Sequence, residues 1–276
     1  MTLKRSYAIL SAILAWMLLV GANVSQASGE PQGSGEVPAP ESEQAPEIAD
    51  ALEGADASQS AEDIPLLPME LSYNASMDRG ISLSGSARRI LEQRDDGTWR
   101  FRTDVDSFIA DIDESLIFRW ENNRVIPLRY RYKLSGFLIK TREQAIDFDW
   151  DQMVVSGHHR GDSFSLELEE GTLDPMGYQL QLSQDIKAGK REMEYRVIDK
   201  GDYDTDQFAV IDQERLSVNG DTYKTLKAEK VRDSDSKRQS LMWFAPERNN
   251  LLVRFLQVEP DGSRYELTID DATVGP

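Results

Sequence analysis

The side chains in this sequence that could do chemistry fall into three clusters. His158 and His159, the two histidines, are adjacent and lie between Gly157 and Arg160-Gly161-Asp162. Neighbouring strand residues point to opposite faces, so the pair could chelate one ion only in a turn, and a polar hairpin loop is the simpler expectation. Asp147, Asp149 and Asp151 bracket Phe148 and Trp150. On a strand this spacing puts the carboxylates on one face, where two of them could share the acid and base roles of sugar hydrolysis. An acidic hairpin tip with Trp150 packed on the sheet explains the same pattern in a chain with 49 Asp and Glu. The third cluster is Arg129-Tyr130-Arg131-Tyr132-Lys133. Alternation puts Arg129, Arg131 and Lys133 on one face and the tyrosines on the other, unlike the interleaved platform that stacks nucleic-acid bases. Such a row either balances acidic neighbours in solvent or orients an anionic glycan or lipid headgroup.

No serine nucleophile motif, phosphate-gripping glycine loop or zinc-protease helix is present. No catalytic residue, metal ligand or cofactor is therefore assigned. The absence of cysteine excludes disulfides, thiolate metal ligands and a lipid-modified cysteine. The strongest apolar runs are Phe108, Ile109, Ile112, Leu116, Ile117, Phe118 and Trp120, with Gly136-Phe137-Leu138-Ile139. They are either core or the lining of a cavity for an acyl chain. Candidate ligand-binding residues are thus Trp120 and Phe137 with Arg129, Arg131 and Lys133.

Lys4 and Arg5 followed by an uncharged apolar stretch from Tyr7 to Ala22, then Ser25-Gln26-Ala27, read as a secretory signal over residues 1–27. The apolar stretch is 16 residues, short of the roughly 20 that span a bilayer. Residues 28–63 carry ten carboxylates, no Lys or Arg, and much Pro, Gly, Ser and Ala, the composition of a disordered acidic linker. The net charge of −18 becomes −20 without the signal's two cations, and −10 when the linker's ten anions are also set aside. An acidic body repels phosphate backbones, so nucleic acid is not an expected partner. The expectation is an exported, periplasmic monomer with no membrane span once the signal is removed.

From residue 64 to 276 the pattern changes to short alternating segments broken by turn residues, as in antiparallel sheets. Met69, Leu71, Tyr73 and Ala75 alternate with Glu70, Ser72 and Asn74, and Asp95-Asp96-Gly97 turns one strand into the next. Asn122-Asn123, Asp149-Trp150-Asp151, Asn219-Gly220 and Asp261-Gly262 mark further turns. One principal helix is expected near residues 175–188, started by Asp174-Pro175 and stopped by Gly189, with Met176, Tyr178, Leu180, Leu182 and Ile186 on its apolar stripe. A lone helix in a β chain plugs or covers a curved sheet. The predicted fold is mainly β, an antiparallel barrel of about a dozen strands, closed or partly open; two β subdomains sharing the helix are the alternative.

Leu71-Ser72-Tyr73-Asn74-Ala75, the Asp174-Pro175 helix start, Met242-Trp243-Phe244-Ala245-Pro246 and Leu251-Leu252-Val253-Arg254 together resemble an uncharacterised family of bacterial envelope proteins. That family is known only as a domain of unknown function, and the resemblance covers most of Ile64 to Ala272. The closing Trp-Phe, turn and apolar strand are also similar in pattern to the lipoprotein-carrier class of half-barrels, which accept acyl chains. This sequence departs from that class in having a single clear helix and Asn250-Leu251 where such chains often place proline. The favoured reading is a non-catalytic periplasmic binding or accessory protein that engages a lipid, a glycan or an envelope protein through the inner face or rim of its sheet. A carboxylate-dependent carbohydrate hydrolase and a purely structural interaction module are the alternatives.

Overall fold

The computed structural model describes residues 64–78, 82–107, 110–137 and 139–275. The expected signal and linker lie outside the described residues, as do Phe108, Ile109 and Leu138.

Alternation of apolar and polar residues, clearest in Met69–Asp78, Trp99–Ser107 and Asp111–Glu121, underlies one long antiparallel sheet. Its first eight strands are β1 (Met69–Asp78), β2 (Ser82–Gln93), β3 (Trp99–Ser107), β4 (Asp111–Glu121), β5 (Arg124–Ser135), β6 (Arg142–Asp149), β7 (Val154–His159) and β8 (Asp162–Glu167). A single helix, α1 (Gly177–Lys187), follows. The chain then returns as β9 (Glu192–Asp199), β10 (Asp202–Val218), β11 (Asp221–Lys230), β12 (Gln239–Ala245), β13 (Leu251–Val258) and β14 (Arg264–Val274). Each strand pairs with its neighbour in sequence, except that β1 pairs with β14 and β8 and β9 form the two edges. Fourteen strands stand where about a dozen were expected, and Lys200-Gly201, both at positive φ, forms the tight turn between β9 and β10.

The sheet is curled, and among the described residues no ladder joins β8 to β9. It is therefore the open form of the predicted barrel, and the two-subdomain alternative is excluded because one ladder runs unbroken through β1 and β14. Register shifts at Ser72/Tyr73, Ile117/Phe118, Val210/Asp212 and Trp243/Phe244 mark β-bulges, which bend strands and increase their twist. The chain after β8 crosses the gap. Leu173 N–H donates to Arg196 O at 2.9 Å and Ile198 N–H to Leu173 O at 2.9 Å, a single parallel bridge onto β9. Gln144 Nε2 also reaches Asp199 Oδ1 at 3.0 Å, and Tyr203 OH reaches Glu167 O at 2.8 Å.

Inside the curl the alternation becomes a core. Leu71, Tyr73, Ala75 and Met77 of β1 are buried while Ser76 and Asn74 are exposed, and the inward Leu116, Phe118, Tyr130, Ile146 and Phe255 are sealed from solvent. The helix sits within this core. Gln181, Gln184 and Asp185 are buried along with Tyr178, Leu180, Leu182 and Ile186, so α1 is covered on nearly every side and acts as a plug. Asp174 caps its start from just outside: Oδ1 accepts the N–H groups of Met176 at 2.9 Å and Gly177 at 3.1 Å. Residue 177 must be glycine for that approach, because a Cβ there would lie 2.6 Å from Asp174 Oδ2. Two turns at one end of the sheet hold the plug. Gln181 Oε1 accepts from Val125 N–H at 2.8 Å, Gln181 Nε2 donates to Asn123 O at 3.0 Å, and Ser183 Oγ donates to Asn250 O at 2.9 Å.

Candidate functional site

The basic row of β5 is a set of cross-strand ion pairs on the outer face. Asp147 of β6 stands opposite Arg129, and its carboxylate takes both Nη2 of Arg131 at 2.8 and 2.9 Å and Nε of Arg129 at 3.3 Å. Lys133 Nζ lies 3.3 Å from Glu143. The same contacts occupy Asp147, while Asp149 Oδ1 accepts Gln152 N–H at 2.9 Å in the next turn. Trp150 packs on Phe148 with centroids 6.3 Å apart and donates its indole N–H to Pro127 O at 2.6 Å. His158 and His159 end β7, one exposed and one half-buried, on opposite faces of the strand. Burial, followed by the charges of Arg160 and Lys200, lowers the His159 pKa.

Trp120 and Phe137 are far apart in role. Trp120 is half-buried and donates its indole N–H to Ile64 O at 3.2 Å, pinning the segment that enters β1. Phe137 is 75 % exposed on the loop between β5 and β6. The structure does not bring either of them to the row of Arg129, Arg131 and Lys133.

The space suited to a ligand lies inside the curl, between one face of α1 and the inner walls of β1–β3 and β12–β13. It is a narrow, partly open cleft with a cavity volume of about 40 Å³. Leu71, Leu91 and Phe101 form one wall, Met242, Phe244 and Phe255 the other, and Leu180 of α1 the floor. Leu66 and Leu67, just before β1, lie along it together with Asn249 and Leu252. Its apolar lining with a few polar groups is that of small-molecule sites, while its volume is well below theirs.

One charged residue lines this cleft. Arg89 of β2 is 7 % exposed, and its guanidinium carbon sits 4.6 Å from the centre of the Phe101 ring. Its Nε donates to Thr103 Oγ1 at 3.2 Å and its Nη2 to Gln179 Oε1 of α1 at 2.8 Å. Among the described residues no carboxylate forms an ion pair with it. Burial lowers its pKa, an effect opposed by nearby Tyr73, Glu114 and Tyr178.

Arg89 begins an inward polar stripe. Cross-strand partners run from Arg89 to Thr103, Glu114, Tyr132, Gln144 and His159, one residue on each of β2 to β7. Glu114 is sealed from solvent; Tyr130 OH donates to its Oε1 at 2.6 Å, while its Oε2 has no partner. Burial pushes its pKa up to about 8, opposed by the Tyr130 hydrogen bond and by the charge of Arg89. Burial likewise pushes Asp174 up to about 7. Asp174 Oδ2, Tyr178 OH and Gln184 Oε1 are further buried polar atoms without partners. On the far wall Lys230 and Asp206 make a buried ion pair at 2.5 Å.

The sequence reading missed Arg89, Glu114 and Lys230. A signal for Arg89 was present: Ala87, Arg89 and Leu91 share the apolar parity of β2, whereas Arg88 falls on the wet face and pairs with Glu70 at 2.7 Å. A cation on the apolar face of a strand is the anomaly to look for. Among the described residues, no group of three or more His, Asp or Glu is placed to hold a metal ion.

The chain is similar to a crystal structure described as a beta-barrel-like protein of domain of unknown function DUF1849 from Brucella abortus. The TM-score is 0.53 and the identity 13 %, over 78 % of this chain and 100 % of that one. At that identity the likeness is one of fold alone. No curated protein matches the sequence. Residues 72–270, running from β1 into β14 and so through the cleft and its helix, match the family described as "Protein of unknown function (DUF3108)", and the chain belongs to that family.

Proposed function

We propose that this protein is an exported, non-catalytic binding protein of the bacterial cell envelope, and that it holds the apolar part of a small amphiphile in the cleft between α1 and the sheet. The observation that carries this reading is the lining of the cleft: aliphatic and aromatic side chains of β1–β3, β12–β13 and α1 enclose a narrow space of about 40 Å³, which a ligand widens as it enters. Leu66 and Leu67 lie along it on the short segment before β1, which is held by Ile64 N–H to Asn123 Oδ1 at 2.7 Å, Trp120 Nε1–H to Ile64 O at 3.2 Å and Gly275 N–H to Pro68 O at 2.8 Å. A segment of this kind opens at lower cost than the sheet beneath it, which gives a ligand its way in. The N-terminal residues 1–27, with their charged start, apolar run and small-residue end, support export to the periplasm.

The reading is tested by native mass spectrometry of protein gently extracted from the producing cells, beside a fractionation that locates it. A retained amphiphile, lost on substituting Leu180→Trp to fill the cleft, is the expected result. Protein that carries nothing and takes up no hydrophobic probe overturns the reading.

A further inference from the structure

The cleft has one feature that an all-purpose apolar site lacks. Arg89 is buried beside Phe101, Leu91 and Leu180, and no carboxylate of the described chain pairs with it. A guanidinium has five N–H donors. Its bonds to Thr103 and Gln179 use two of them, both with neutral oxygens. Glu114, whose charge acts on Arg89, makes no ion pair with it, and a buried cation whose hydrogen-bond partners are all neutral is costly unless an anion joins it. The hydrogen-bonded neighbours fix the guanidinium in place, and its remaining donors suit the forked geometry of a carboxylate or phosphate. The side chains around that end of the cleft are otherwise apolar or neutral.

We infer that the ligand of the cleft is a single-chain amphiphile with an anionic head, whose carboxylate or phosphate meets Arg89 while its chain lies against Leu91, Leu180, Phe244 and Phe255. This rests on the binding function proposed above and adds the chemical class of the ligand. Arg89 is then the residue that tells an acid from its neutral ester, since a neutral head leaves the buried charge unpaired. Gln184, whose Oε1 is buried without a partner and which also lines the cleft, is placed to accept from a hydroxyl of the ligand.

The test is calorimetric titration of the intact purified protein with hexadecanoate, hexadecyl phosphate and the uncharged methyl ester of hexadecanoic acid, each below its aggregation concentration. One or both anions should bind at least about tenfold more tightly than the ester, the size of effect expected of a charge-assisted hydrogen bond. Arg89→Gln should bring the preferred anion down to the level of the ester and leave the ester within about twofold, and Arg89→Lys should retain part of the preference. Equal binding of acids and ester, unchanged in Arg89→Gln, overturns the role of Arg89 but leaves the binding function standing. Failure of all three ligands to bind overturns both. Should Arg89→Gln not fold, the ratio of acid to ester in the unsubstituted protein, with Arg89→Lys, decides the matter.

Discussion

The two faces of the same sheet treat positive charge in opposite ways. On the outer face of β5, Arg129, Arg131 and Lys133 keep side-chain exposures of 59 %, 39 % and 55 %, and each faces a carboxylate on β6. On the inner face, Lys230 and Asp206 form a pair at 8 % and 5 % exposure, and Arg89 makes no ion pair among the described residues. The outer row is more conspicuous because its charges are adjacent in register. It is nonetheless the less informative of the two, since exposed pairs are screened and worth at most about 1 kcal/mol each. An inward cation must either have its own counter-ion, as Lys230 does, or await one. Concentration of charge along a strand thus marks electrostatic balance between strands, and a single charge on the wrong parity marks a site.

Breaking the inner pair is expected to give the largest effect. Lys230→Ala leaves Asp206 buried without its partner and should cost about 3 to 5 kcal/mol in urea denaturation. Combining Lys230→Met with Asp206→Leu should recover most of that loss, because neither charge then remains to be desolvated. A loss no larger than that of an outer-row substitution would erase the distinction between the faces.

The next largest effect is one of pH. Burial raises the pKa of Glu114 from 4.5 to about 8, so between those values the folded state keeps a proton that the unfolded chain has released. Stability therefore falls as pH rises through that window and levels off above it, and Asp174 acts in the same direction between 3.8 and about 7. Glu114→Gln abolishes one of these titrations. Its Tm should gain on that of the unsubstituted protein as pH goes from 5 to 8, by several degrees at about 2 to 4 °C per kcal/mol. A difference in Tm that stays constant with pH would mean that Glu114 is charged throughout and already neutralises Arg89.

Filling the cleft separates binding from stability. Leu180→Trp places extra volume on the floor of the cleft and should abolish uptake of a hydrophobic probe, at about 1 to 3 kcal/mol of overpacking strain. The smallest effect belongs to the outer row: Arg131→Ala should change stability by less than about 1 kcal/mol and leave ligand titrations unaltered. A marked loss of binding in Arg131→Ala would move the candidate site from the inner face to the outer one.

Much of this architecture was legible along the chain. The alternation of Leu71, Tyr73 and Ala75 with Ser72 and Asn74 gave the inward face of β1, and Asn219-Gly220, at φ of 52° and 89°, supplied the tight turn between β10 and β11. Asp174 and Gly189 bracketed the helix, which runs from Gly177 to Lys187. The burial of its polar side was not legible. Gln181, Gln184 and Asp185 are buried, Gln181 by its bonds to the turn at Asn123 and Val125, and Asp185 beside Gln181, Lys190 and Tyr195, all of which donate to it.

The sequence by itself determined which residues share a face, because side-chain direction on a strand depends only on parity, and where the chain turns, because asparagine and glycine tolerate positive φ. It also held the anomaly of Arg89 among Ala87 and Leu91. Only the tertiary structure decided what Arg89 meets. The curl of fourteen strands around α1 puts β2 across from β12 and β13, more than 140 residues away in sequence, and leaves a cleft between them. Burial is a property of that enclosure and not of the residue, which is why the lowered pKa of Arg89 and the raised pKa of Glu114 emerge only once the sheet has closed around them.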